Sequence, residues 1–279
     1  MTTAFIIGCG FLGEAAADLL FQEGWKIQGG CATPDAAQRL LHKPYSVQVC
    51  NVLETASLRN FSQTRPDLIL FCASSRGGGE EEYRNLYLGG VRNLVEVWKP
   101  ERLLFTSSTS VYAQTQGEIV DENSPAQPDR PTSKILLEAE QEVLSSGGTI
   151  ARLAGIYGPG RSVLMRKFLA GEAVLEDGGK RWINQIHRDD AARALLHLTH
   201  APAGVYNVCD DRPATQYDVY QWLAEFFKRP LPPKGPIHFQ RKRAWTSKRV
   251  SNRKLRNLQW SPQWRSYQDA LATLVGTAE

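Results

Sequence analysis

No apolar run in the 279 residues approaches the ~20 needed to cross a bilayer as a helix, which argues against a membrane-spanning protein. The opening stretch, MTTAFIIGCGFLG, has no basic region ahead of its short apolar run and passes directly into glycines. A signal peptide is therefore not expected, and the mature chain is expected to start here. Cysteine is sparse: the five residues Cys9, Cys31, Cys50, Cys72 and Cys209 form neither a CxxC pair nor a Cys/His metal spacing. No metal site is expected, and an odd number of thiols suits a reduced compartment, so a cytoplasmic location is expected. Four of the five fall near the ends of expected strands, where a small apolar side chain packs well. Internal repeats and low-complexity tracts are also missing, and 42% hydrophobic with 22% charged residues excludes a disordered or fibrous chain.

Acid is absent from one long stretch, RKRAWTSKRVSNRKLR (Arg241 to Arg256), which holds eight of the 33 basic residues. Such a segment attracts anions. None of the modules that read a nucleic-acid groove or stack on bases is present, so a solvated surface or a wall against phosphate is favoured over nucleic acid.

Short apolar runs alternate with helical patterns through the first 155 residues. The runs AFIIG, WKIQGG, SVQVC, DLILFCA, RLLFTSS and TIARLAG read as strands. Between them GEAAADLLFQEG, DAAQRLLHK, EEEYRNLYLGGVRNLVEVWK and KILLEAEQEVLSSGG read as helices closing right-handed crossovers. The expected fold class is α/β, a doubly wound parallel sheet with a smaller C-terminal lobe. Proline-rich KRPLPPKGP (228 to 236) reads as a linker into a small basic tail.

Directly after the first strand stands GCGFLG, residues 8 to 13, with a helix opening at Glu14. In that position Gly8 permits a tight turn, Gly10 lets backbone approach a pyrophosphate, and Gly13 permits close helix packing. Dinucleotide binding is favoured over an incidental glycine turn, with Phe11 and Leu12 as further loop contacts. The end of the second strand, QGGCATPD, carries no acid until Asp35, and Arg39 could reach it from the next helix. A carboxylate there would hold the 2′-hydroxyl of NAD and repel a 2′-phosphate, so its absence favours NADP over NAD.

LLFTSSTSVYAQTQGEIVDENSP, together with the glycine loop, resembles the extended short-chain dehydrogenase/reductases, the NAD(P)-dependent epimerase/dehydratase group. RLAGIYGPGR, IHRDDAARAL, YNVCDD and SNRKLRNLQWSP are similar to later segments of that family in the same order, over essentially the whole chain. The resemblance implies an NAD(P)-binding Rossmann domain of 1–160 plus 183–210 and a substrate lobe of 161–182 plus 211–279. It also implies hydride chemistry in which a hydroxyl polarises the reacting oxygen, a tyrosine moves the proton, and a lysine lowers the tyrosine pKa and holds the nicotinamide ribose.

Carried over by position, Ser108 is the hydroxyl and Lys134 is the lysine of the YxxxK motif. The tyrosine position is then Arg130. Arginine stays charged at any working pH, so it can stabilise negative charge but cannot relay a proton. Pro131 further disfavours helical geometry at Arg130. Ile7 stands at the first glycine position of the usual GxxGxxG pattern. Asn51 replaces a common adenine-contacting aspartate, and Tyr87 falls where an active-site asparagine is frequent. Ala73 and Gly155 complete the expected cofactor contacts. Tyr87, on the fourth helix, is the candidate to take over part of the missing acid's role, against a reading as an aromatic packed on the sheet. Tyr112, Tyr157, Arg161 and His187 are candidate substrate contacts. His187 and Asp189 are equally read as structural support at a helix start, and Arg161, Arg253 and Lys254 as solvated charges.

The expectation is thus an oxidoreductase acting on a small anionic molecule with a hydroxyl or carbonyl group, as a monomer or homodimer. The rival is a protein that binds NAD(P) as a sensor without turning it over.

Overall fold

The computed structural model describes residues 2–75, 77–237 and 245–271. Its centre is a seven-stranded sheet. The strands are β1 (Thr3–Ile7), β2 (Lys26–Cys31), β3 (Ser46–Val49), β4 (Leu68–Phe71), β5 (Arg102–Ser108), β6 (Thr149–Leu153) and β7 (Gly204–Val208), in the order β7-β6-β5-β4-β1-β2-β3. The pairs β1/β2, β1/β4, β2/β3 and β4/β5 run parallel. β1 and β4 are buried along nearly their whole length, as strands covered on both faces must be, which is why each reads as a continuous apolar run instead of an alternating one. This is the expected doubly wound α/β fold, with the strand order reversing between β1 and β4.

The crossovers are α1 (Phe11–Gln22), α2 (Pro34–Gln38), α3 (Thr55–Phe61), α4 (Glu80–Trp98), α5 (Pro131–Ser145) and α6 (Arg188–Leu198). α1 buries Leu12, Ala16, Ala17 and Leu20, one face of a 3.6-residue period. α2 is only five residues long, with Thr33 Oγ1 accepting from the amide of Ala36. α3 has no counterpart in the sequence expectation. Its seven residues are too short for a clear period, and they are held by Leu58 and Phe61 beneath them. Phe5, Phe61 and Trp98 form an edge-packed cluster with ring centroids 4.9–5.7 Å apart, which seats α3 and the end of α4 against β1. α4 is not a uniform helix: a π-helical segment, Arg84–Gly89, separates Glu80–Tyr83 from Gly90–Trp98. Arg130 is the N-cap of α5 with φ −79° and ψ 135°, so the extended geometry expected ahead of Pro131 is what is found.

The chain divides into two compact units: residues 1–111, 128–152 and 192–206 form the first, and 112–127, 153–191 and 207–279 the second. These crossings differ from the division implied by the resemblance, chiefly because 112–127 and 153–160 belong to the second unit. That unit has its own core, in which Tyr157, Phe168, Leu175, Val219, Tyr220, Leu223, Tyr267 and Leu271 pack together. Its loops are tied by buried acids: Asp190 accepts the amides of Gln263 (2.7 Å) and Trp264 (3.1 Å). The proline-rich 228–236 stretch contains a short strand, Lys234–Gly235, paired with Leu175–Glu176, so it is built into this unit. Of the basic stretch, Arg241, Lys242 and Arg243 lie outside the described residues.

Candidate functional site

In the first unit the glycine loop stands at the carboxyl ends of β1 and β4, where the strand order reverses and α/β sheets place their ligands. Gly8 has φ +94°, and a Cβ built on it would lie 2.4 Å from the Ala73 amide nitrogen. A Cβ on Gly13 would lie 2.3 Å from the Gly8 carbonyl oxygen. Neither position tolerates a side chain. Gly10 is different: a Cβ there would meet nothing within 4 Å, so its backbone borders open space. The amides of Gly8 and Cys9 both donate to the Gly30 carbonyl (2.9 Å each), which folds the loop back over β2. α1 then starts with Gly10 as an N-cap that offers no side-chain acceptor. Leu12 is buried just inside that start. Phe11 is half-buried.

Around this loop the thiols are covered. Burial pushes Cys9 and Cys50 up to about 12, and the Cys31 thiol donates to the Cys9 carbonyl at 3.3 Å. Cys31 is also raised by burial, against the opposing charge of Arg39, which is itself exposed. Glu14 and Asp18 of α1 grip Lys43 at 2.8 and 2.7 Å, and Asp18 also accepts from the Tyr45 hydroxyl at 2.6 Å. Asn51 spends its side chain on its own turn, donating to Glu54 (2.7 Å) and accepting from the Leu53 amide (3.1 Å).

Next along the sheet, the π-helical segment of α4 aims Tyr87 at the loop after β4, where its hydroxyl accepts from the Ser75 amide at 3.2 Å. Burial raises the Tyr87 pKa, with the Ser75 bond opposing. The ring lies edge-on to Tyr83 (4.9 Å) and Phe105 (6.1 Å). Ser108 ends β5 half-exposed, and its hydroxyl accepts from the Ser110 amide at 3.2 Å. Lys134 stands in the first turn of α5, where its amide donates to the Arg130 carbonyl at 3.0 Å. Its side chain belongs to the exposed stripe, whereas Ser133, Ile135, Leu136, Ala139, Glu140 and Val143 face inward. The structure therefore brings Gly8, Gly13 and Ala73 together at one point and aims Tyr87 at the Ser74–Ser75 loop.

In the second unit, Tyr112 is buried and donates to Asn207 Oδ1 at 3.0 Å. Tyr157 is buried between His187 (5.4 Å) and Tyr267 (4.8 Å), and its hydroxyl donates to the Ser266 carbonyl at 3.4 Å. His187 is also buried, with Nδ1 accepting from the Asp189 amide and the ring 3.9 Å from that of Trp264. Gly155 lies against β-backbone, with Asn184 O 3.2 Å from where its Cβ would be. Arg161 alone of these candidates is exposed, at the end of a tight turn where its backbone pairs with that of Gly158.

Three features went unnoticed in the sequence. Glu140 and Arg152 form a buried ion pair in the first unit (2.6 Å). Lys248 is buried in the second, donating to the Tyr112 carbonyl at 2.7 Å and to Thr246 at 3.0 Å. Burial lowers its pKa to about 8, helped by Arg181 and opposed by Glu118. Asp210, also buried, is raised well above the usual carboxylate range by burial first, opposed by a hydrogen bond from the Arg212 amide and reinforced by Asp211, Asp190 and Asp269. Only Glu140 had a readable signal, as an acid inside the apolar stripe of α5. Among the described residues, no group of three or more His, Cys, Asp or Glu side chains could hold a metal ion, and no helix is long and apolar enough to cross a membrane.

Comparison with known proteins agrees with this fold. The chain is 31% identical over 225 residues to protein YeeZ of Escherichia coli K12, covering 75% of this chain and 78% of that protein. Among solved structures, a Methylobacillus flagellatus protein assigned to the NAD-dependent epimerases/dehydratases superposes with a TM-score of 0.80 at 27% identity, covering 99% of this chain and 98% of that one. A Thermotoga maritima UDP-glucose 4-epimerase, solved with UDP-glucose, shares the fold with a TM-score of 0.84 at 18% identity, covering 99% of this chain and 98% of its own. The profile of the NAD dependent epimerase/dehydratase family matches residues 4–209, and the chain belongs to that family.

Proposed function

We propose that this chain is an NAD(P)-binding oxidoreductase of the epimerase/dehydratase kind, acting on a small anionic substrate that carries a hydroxyl or carbonyl group. The observation that carries the reading is the contrast among the three loop glycines. Gly8 and Gly13 are closed against backbone, while Gly10 borders open space at the start of a twelve-residue helix with no side-chain cap. Backbone N–H groups and the positive end of the helix dipole at such a place suit a pyrophosphate. The residues present therefore fit a dinucleotide, whose nicotinamide would supply the capacity to accept and return hydride.

Gly8, Gly10, Phe11, Leu12, Gly13 and Ala73 would hold the pyrophosphate half, with Asn51 and Gly155 as further contacts. Ser108 would polarise the reacting oxygen through its hydroxyl. Lys134 would hold the ribose, and Arg130 would stabilise negative charge developing on the substrate. Tyr87 would contribute by fixing the Ser74–Ser75 loop and, in part, by its own hydroxyl. Of the candidate substrate contacts in the second unit, Tyr112, Tyr157 and His187 are buried within it and would act as its support, which leaves Arg161 as the exposed candidate. An exposed Arg39 near Cys31, with no carboxylate at the end of β2, supports NADP over NAD.

Titration with NADPH and NADH, followed by a screen of carbonyl compounds and nucleotide sugars, tests this. Cofactor turnover that falls at least a hundredfold in Ser108→Ala and tenfold in Lys134→Ala is the expected result. Absence of nicotinamide binding would overturn it. A second reading, a sensor that binds NAD(P) without turnover, draws on the outward-facing Lys134 and on arginine at the position matching the family tyrosine. Tight binding with no turnover on any substrate would favour it.

A further inference from the structure

Three buried polar residues of the first unit, one from each of β5, α5 and β6, meet at one point. The Ser107 hydroxyl donates to Glu140 Oε1 at 2.6 Å. Arg152 Nε donates to Glu140 Oε1 and Oε2 at 3.1 and 3.2 Å, and a second guanidinium nitrogen donates to Oε2 at 2.6 Å. Ser107, Glu140 and Arg152 are 5%, 2% and 6% exposed. Everything else on the inward face of α5 except Ser133 is apolar: Ile135, Leu136, Ala139 and Val143.

A buried ion pair of this kind contributes little to net stability, because the attraction it gains is spent on removing both charges from water, and an apolar set of similar volume often serves as well. What it adds is geometry. Apolar packing tolerates rotation and sliding of a helix, since volume-conserving rearrangements cost little. A guanidinium fork on a carboxylate, with a hydroxyl fixed to the same carboxylate, has one good arrangement. Ser107 is the neighbour of Ser108. Glu140 lies six residues beyond Lys134, about 9 Å along the helix axis.

We propose that Ser107, Glu140 and Arg152 form a register lock that sets the rotation and height of α5 against the end of β5, and so fixes where Arg130 and Lys134 stand relative to Ser108. All three are positioning residues, and the functional part of the claim rests on the reading of Ser108 and Lys134 given above. The lock ties the end of β5 to α5 through a charged contact about one and a half turns beyond Lys134.

Single truncation cannot separate positioning from folding, since Glu140→Ala strands a buried guanidinium. The decisive variant is the apolar triple, Ser107→Ala, Glu140→Leu and Arg152→Met, compared with the full-length wild type in three measurements. Thermal unfolding should show a Tm close to wild type. Hydrogen–deuterium exchange should quicken at least tenfold in residues 131–136 and 106–110 while β1 and β4 stay protected. Preference for the reduced dinucleotide that the wild type binds, NADPH or NADH, over ADP should fall about tenfold or more, with ADP affinity unchanged, because ADP needs only the half held by the glycine loop. Unchanged exchange in the folded triple variant would overturn the lock. Quickened exchange with an unchanged dinucleotide-to-ADP preference would overturn its role in cofactor placement. Absence of both NADPH and NADH binding in the wild type would overturn the functional reading alone, and the exchange result would still decide the lock.

Discussion

The two units bury charge in opposite ways. In the first, Glu140 and Arg152 neutralise each other under α5 and a serine completes the set. In the second, Lys248 has a carbonyl and a hydroxyl as partners, and Asp210 has the Arg212 amide as a hydrogen-bond donor but feels three further acids. The desolvation cost is similar in kind, but the outcome differs. A paired charge stays where it is and serves as a fixed point, whereas a charge with neutral or like-charged neighbours moves its pKa toward the neutral form. Lys248 at about 8 and a raised Asp210 are the result. The pair in the first unit is the fixed point of the proposal above, while the shifted groups of the second would make its stability depend on pH.

The largest break in that comparison is expected from Glu140→Ala, which removes the carboxylate from the buried Arg152 guanidinium. A loss of about 3–5 kcal/mol in unfolding free energy by denaturant titration is expected, and a loss under 1 kcal/mol would show that water reaches the guanidinium.

A smaller and pH-dependent effect is expected in the second unit. Lys248 is lowered in the folded state from 10.5 to about 8, so between those values the unfolded chain binds more protons. Its contribution to stability rises as pH rises through that window. Relative to Lys248→Met, the wild type should gain roughly 2 kcal/mol between pH 8 and 10. Asp210 has the opposite sign. Its folded pKa is raised, so its contribution is fully present below the unfolded value and is lost as pH rises. Asp210→Asn should therefore gain on the wild type with increasing pH above about 4. A flat difference for either variant would mean that the group is solvated.

The smallest effect sharpens the contrast by moving the same chemistry to the surface. Arg84 and Glu138 form an ion pair at 2.9 Å with both side chains nearly half exposed. Arg84→Ala should cost no more than about 0.5 kcal/mol, and salt should erase even that.

The glycine loop, the strands β1 to β6 and the capping geometry at Arg130 were all legible because each depends on neighbours in sequence. Apolar runs, a GxGxxG after a strand and a proline after Arg130 act over a few residues. α3 was missed because seven residues hold too little periodicity. The π-helical segment was missed because RNLYLG has no residue that marks it. Lys134 was placed by motif spacing, yet which side of α5 it occupies depends on which residues the sheet receives, and the inward stripe begins one residue earlier, at Ser133.

Local chemistry along the chain was thus enough to establish a doubly wound α/β sheet with a dinucleotide-type loop, since steric demands at Gly8 and Gly13 are written in the residues themselves. Arg152 lies 12 residues from Glu140 and the Tyr112 carbonyl 136 residues from Lys248, and Asp190 and Asp269 reach Asp210 from other segments. Whether a buried charge is paired or left to titrate is settled by those long-range neighbours, because electrostatic energy depends on distance in space and not on separation along the chain.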